Sequence, residues 1–126
     1  MDDRKKITQF TDLIAWKEAQ VFVVDVYNIT KSNFPKEELF GLTSQIRRAA
    51  VSVTSNISEG FGRHGYQEKL QFYRMARGSL NETVSQLYVA RDIGYINDEV
   101  FVKLISKSEE VGKLLSGLIR KTGDLK

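Results

Sequence analysis

Apolar residues recur in alternating steps of about four and three along four separate stretches of this chain, and no stretch shows the strict alternation of a strand. Ala15, Ala19, Phe22, Val26 and Ile29 form the first stripe, widened by Trp16, Val23 and Tyr27. Leu42, Ile46, Ala49, Val53 and Ile57 form the second, and Tyr73, Ala76, Leu80, Val84, Leu87 and Ala90 the third. Phe101, Leu104, Ser108, Val111, Leu115 and Leu118 form the fourth. Such spacing puts each set on one face of a helix, and each face must be covered by another helix.

The punctuation agrees with this pattern. The chain's one proline, Pro35, pushes Phe34 out of the helical region, so a break is expected at Asn33-Phe34-Pro35. Glycines gather between the stripes. The predicted helices are 13–32, 36–60, 66–94 and 98–121. Thr11 or Asp12 is expected to cap the first. Pro35, Glu37 and Glu38 suit the first turn of the second, beside its N-terminal dipole. Gly60 is expected to close the second helix as a left-handed cap, Gly65 and Glu68 to open the third, and Gly94 to end it. Asn97 or Asp98 caps the fourth. Short connections make neighbours antiparallel, so the expected fold is all-α, an antiparallel up-and-down four-helix bundle forming a single domain over residues 1–126. A chain of this length buries roughly two-thirds of the surface it exposes when unfolded, enough for one core.

Hydrophobic residues make up 41% and charged residues 28%, which suits a soluble globular protein. There is no cysteine, so disulfides and thiolate metal sites are excluded, in keeping with a reducing compartment. The opening Met1-Asp2-Asp3-Arg4-Lys5-Lys6 leads into no apolar run of signal-peptide length, and no apolar stretch is long enough to span a bilayer. A cytoplasmic protein without membrane contact is expected.

The net charge of +3 is unevenly spread. Between positions 44 and 91, Arg47, Arg48, Arg63, Arg74, Arg77 and Arg91, with Lys69, face only Glu59, Glu68 and Glu82. Arginine is suited to bidentate contacts with anions, so these six arginines are the candidate nucleic-acid-binding residues.

Other motifs are weaker. Gly60-Phe61-Gly62-Arg63-His64-Gly65 matches a nucleotide-binding glycine pattern, but it follows a helix rather than a strand and is read as an interhelical connection. His64 is the only histidine, and no Glu-x-x-His pair of a di-iron bundle exists. No catalytic residue, cofactor or metal is assigned, and the chain is not expected to be an enzyme. Asn56, Glu59, Ser79, Asn81 and Glu82 interrupt the apolar pattern near the core boundary and are expected to pair and hold helix register, the alternative being that they line a cleft or a subunit contact. The spacing of Glu59 and Arg63 brings their side chains together on one helix face. Phe10, Leu39, Phe40, Phe61, Phe72, Tyr88 and Val89 fall outside the four stripes, so self-association is expected.

The string from Ala50 to Gly60, followed by Arg63 and by Phe72 to Glu82, resembles the four-helix bundle family of 23S rRNA intervening-sequence proteins, also labelled the S23 ribosomal protein family. Phe10, Asp12-Leu13 and Trp16 resemble the family's opening and Gly94-Tyr95-Ile96 its last turn. The family is similar to the accessory variability determinant of diversity-generating retroelements. The resemblance implies an antiparallel bundle that assembles into a homopentamer without known catalysis. It also implies contact with RNA or DNA, or with a reverse transcriptase-like partner. The expected function is a homo-oligomeric scaffold that binds nucleic acid, or a protein associated with it, through the arginines. The alternative is a protein-only scaffold whose arginines make intersubunit salt bridges.

Overall fold

The computed structural model describes residues 6–125; the charged opening at 1–5 lies outside them. Four α-helices are present among the described residues: α1 (Ile14–Asn33), α2 (Leu42–Gly62), α3 (Tyr66–Asp92) and α4 (Asp98–Asp124). Short 3-10 turns at Phe10–Asp12 and Lys36–Glu38 precede α1 and α2.

Each helix packs against two others: α1 and α3 each lie against α2 and α4, while the diagonal pairs stay apart. The contacts run in opposite senses along neighbouring helices. Ser52 meets Ser79 while Gly60 meets Tyr73, and α1 places Ala15 beside Leu118 but Ile29 beside Val100. This is the expected antiparallel four-helix arrangement.

The four stripes supply the core. Ala19, Phe22 and Val26 of α1, Ile46, Val53 and Ile57 of α2, Ala76 and Leu87 of α3, and Val111 and Leu115 of α4 are all buried. Val84 is only partly buried; its neighbour Thr83 is inside instead, its hydroxyl donating to the Ser79 carbonyl at 2.8 Å. A hydroxyl bonded back onto its own helix can enter a core without an unmet polar group.

Several helix ends differ from expectation. The second helix begins at Leu42 rather than at 36, because Lys36–Glu38 forms a separate turn. Glu38 still acts at the N-terminus of α2, its Oε1 accepting from the Leu42 backbone N–H at 3.0 Å. Neither Thr11 nor Asp12 caps α1, whose N-cap is Leu13; the Asp12 carboxylate accepts from the Thr8 and Gln9 backbone N–H groups. Gly60 is no left-handed cap, since the only glycine with positive φ among the described residues is Gly94. Gly60 is buried inside α2, where its missing side chain admits Tyr73 and Phe72 of α3. The carbonyls of Gly60 and Phe61 are taken instead by Lys69 Nζ, at 3.3 and 2.7 Å.

Gly94, at φ 87°, does end α3. Its N–H donates to the Arg91 carbonyl and that of Tyr95 to Ala90, a left-handed closure that glycine adopts without steric cost. Asn97 caps α4, accepting from the Val100 N–H at 2.8 Å.

Candidate nucleic-acid interface

The six arginines do not form one patch. Half of them are packed onto the bundle. Arg47 on α2 turns toward α1, where its Nε donates to Thr30 Oγ1 at 2.8 Å and its guanidinium lies 4.7 Å from the centre of the Tyr27 ring. Arg63, just past α2, pairs with Glu59 at 3.0 Å, as their spacing predicts, and lies 4.7 Å from the Phe72 ring. Arg91 bonds Asp92 at 2.9 Å and rests against the Tyr88 and Phe101 rings, at 5.0 and 4.5 Å, which themselves meet edge to face. Such contacts hold each guanidinium by about 0.5–1 kcal/mol where water still reaches it, enough to favour one orientation without neutralising the charge.

Arg48, Arg74 and Arg77 are exposed and form no ion pair or hydrogen bond with a described residue. Arg74 and Arg77 stand one turn apart on α3. Arg48 shares a cleft with Arg47, so among the six these two pairs are brought together. Glu82 is exposed and takes none of these arginines.

The cleft beside Arg47 contains groups that helix periodicity does not single out. It has a volume of about 510 Å³ and is walled by Tyr27, Leu39, Phe40 and Val51 as well as the two arginines. A second cleft of about 340 Å³ adjoins it through Leu39, Thr43 and Arg47, and adds Lys31 and Lys36. No carboxylate lines either one. The Glu38 carboxylate of the neighbouring turn is engaged elsewhere, its Oε2 accepting from the Tyr95 hydroxyl. Tyr27 and Lys31 lie one turn apart on α1, but their approach to Arg47 depends on how α1 packs against α2.

The polar residues placed near the core boundary divide. Ser52, Asn56 and Ser79 form a hydrogen-bonded set across α2 and α3: the Ser52 and Ser79 hydroxyls meet at 2.8 Å, and Asn56 Nδ2 donates to the Ser52 carbonyl and hydroxyl at 2.8 and 3.0 Å. Glu59, Asn81 and Glu82 are exposed instead, so the expectation that they line the core boundary is corrected. They fall on helix positions turned away from the seams.

His64 is exposed in the connection between α2 and α3. Among the described residues no three His, Asp or Glu side chains converge as a metal site, and no helix is long and apolar enough to cross a membrane.

Residues 11–117 match the 23S rRNA-intervening sequence proteins. The chain belongs to this family. A crystal structure of a protein of unknown function from the S23 ribosomal protein family of Bacteroides thetaiotaomicron is similar in fold. It has a TM-score of 0.78 and 24% sequence identity, over 84% of this chain and 98% of that one. No curated protein matches the chain.

Proposed function

We propose that this 23S rRNA-intervening sequence protein is a non-enzymatic, homo-oligomeric scaffold that binds nucleic acid, or a protein associated with nucleic acid, through a basic surface. The observation that carries this reading is the state of Arg48, Arg74 and Arg77, which are exposed and unpaired among the described residues. An arginine without a carboxylate partner keeps its full charge and its fork of donors for a phosphate.

Self-association is supported by exposed apolar side chains on several faces, among them Ile14 and Val102 (62% each) and Ile93 (52%). The pentamer implied by the family resemblance would repeat the arginine set around its axis, so contacts that are weak singly would sum by multivalency. Binding would then be largely independent of sequence and fall steeply with salt. A cytoplasmic location accords with a chain that lacks cysteine.

Replacing Arg48 and Arg74 together by alanine tests the reading. The variant is expected to lose retention on single-stranded RNA or DNA at low salt while keeping the parent's native mass. A parent that is never retained sinks the nucleic-acid reading. A variant that loses its assembly instead favours a protein-only scaffold with intersubunit salt bridges. Exposed Glu82, unpaired among the described residues, is a group such bridges could use.

A further inference from the structure

The cleft pair at the α1–α2 end of the bundle combines three features. Its guanidinium is already oriented. Arg47 Nε is committed to Thr30 and one face of the guanidinium to Tyr27, while its two terminal nitrogens bond no described residue. Little conformational freedom remains to be lost when those nitrogens meet an anion.

Its charge is one-signed: Lys31, Lys36, Arg47 and Arg48 line the two clefts, with no carboxylate among the lining residues. Four cations spread over two adjoining clefts suit a chain of negative charges better than a single small anion.

Its rim carries a free ring. Phe40 is 94% exposed although it lines the same cleft as both arginines, so the ring's faces are open to solvent. An exposed phenylalanine beside phosphate-binding groups offers a flat apolar surface on which an unpaired base can stack.

We propose that this end of the bundle binds single-stranded nucleic acid, with Phe40 stacking a base and Arg47 and Arg48 holding the adjacent phosphates. This rests on the nucleic-acid reading above and adds two things to it: a place on the molecule, and a preference for strands whose bases are free. A duplex keeps its bases stacked inside, out of reach of Phe40, and would meet only the cations. Lys31 and Lys36 extend the phosphate track toward the second cleft.

The experiment measures binding of a labelled oligothymidylate and of a mixed-sequence duplex of equal length, at low salt, by the parent, Phe40→Ala and Phe40→Tyr. Native mass is recorded for each. Phe40 is nearly all solvent-exposed, so neither change disturbs the core. The parent is expected to prefer the single strand. Phe40→Ala should lose about tenfold in single-strand affinity with the duplex unaffected, and Phe40→Tyr should keep the parent's affinity.

If the parent binds the oligothymidylate and Phe40→Ala binds it equally well, the stacking site is overturned while the basic-surface reading stands. If the parent binds neither probe, both fall. If Phe40→Ala changes the native mass, Phe40 belongs to a contact with a second copy of this chain, which likewise overturns the proposal.

Discussion

The Tyr95 hydroxyl donates a 2.7 Å hydrogen bond to Glu38 Oε2, joining the turn after α3 to the start of α2 across 57 positions of sequence. The other oxygen of the same carboxylate holds the Leu42 N–H. That backbone bond, and then the Tyr95 hydroxyl, hold the Glu38 carboxyl below its usual value of 4.5. The bond to Glu38 in turn raises the Tyr95 phenol above 10.0.

A carboxylate with a lowered pKa contributes stability that is present above its unfolded value and is lost as pH falls through the folded one. A phenol with a raised pKa contributes stability that is present below its unfolded value and is lost as pH rises through the folded one. The pair therefore supports the fold between about pH 4.5 and pH 10. Tyr95→Phe is expected to lower the Tm at pH 7, and its deficit against the parent should shrink below pH 4.5. Thermal unfolding followed by circular dichroism across that range checks both.

Gly60 and Gly78 both lie within helices and should respond oppositely to alanine. A Cβ at Gly60 would stand 2.7 Å from Tyr73 Cε1 and 2.9 Å from Cδ1, and Tyr73 is 2% exposed, its phenol pushed up to about 12 by burial. The ring cannot swing away without opening the seam, so Gly60→Ala should destabilise by about 1–3 kcal/mol. At Gly78 no atom lies within 4 Å of an added Cβ, and Gly78→Ala should stabilise by about 0.5–1 kcal/mol through lost unfolded-state freedom. Urea unfolding of the two variants measures the contrast in sign.

Ala49 and Ala76 sit at 3% and 0% exposure in the second and third stripes. Leucine at either position adds volume where neighbouring helices leave none, and each change should cost about 1–3 kcal/mol. Equal thermal midpoints for parent and variants would mean the seams are looser than the packing indicates.

Lys107 of α4 bonds Glu18 of α1 and, at 3.3 Å, Glu110. The Glu18 bond raises the ammonium pKa above its usual 10.5. Its contribution is therefore whole below that pH and lost as the lysine deprotonates above it. A double-mutant cycle with Glu18→Gln and Lys107→Met should show a coupling of up to about 1 kcal/mol at pH 7 and 0.1 M salt, declining past pH 10.5. No coupling at pH 7 would assign the contact to surface decoration.

The sequence by itself determined the number of helices, their inward faces and the way α3 stops and α4 starts. These are local properties: a period near 3.6 selects Phe22, Ile46, Leu87 and Leu115 for the core, and Gly94 and Asn97 close backbone groups within a few residues of themselves. Ends that depend on distant atoms were not legible. Gly60 resembles a helix stop in sequence, but its role is set by Tyr73 approaching from the next helix. Glu38 belongs to the turn before α2, and its second bond comes from Tyr95. The same distinction divides the arginines, which are alike as residues. Packing holds Arg47 against Tyr27 and Thr30, and Arg91 against Phe101, while it leaves Arg48, Arg74 and Arg77 in solvent. Only the tertiary structure decided which cations are held and which remain free, because a long side chain's partner is whatever the neighbouring helix presents within its reach, and periodicity along one helix carries no information about that neighbour.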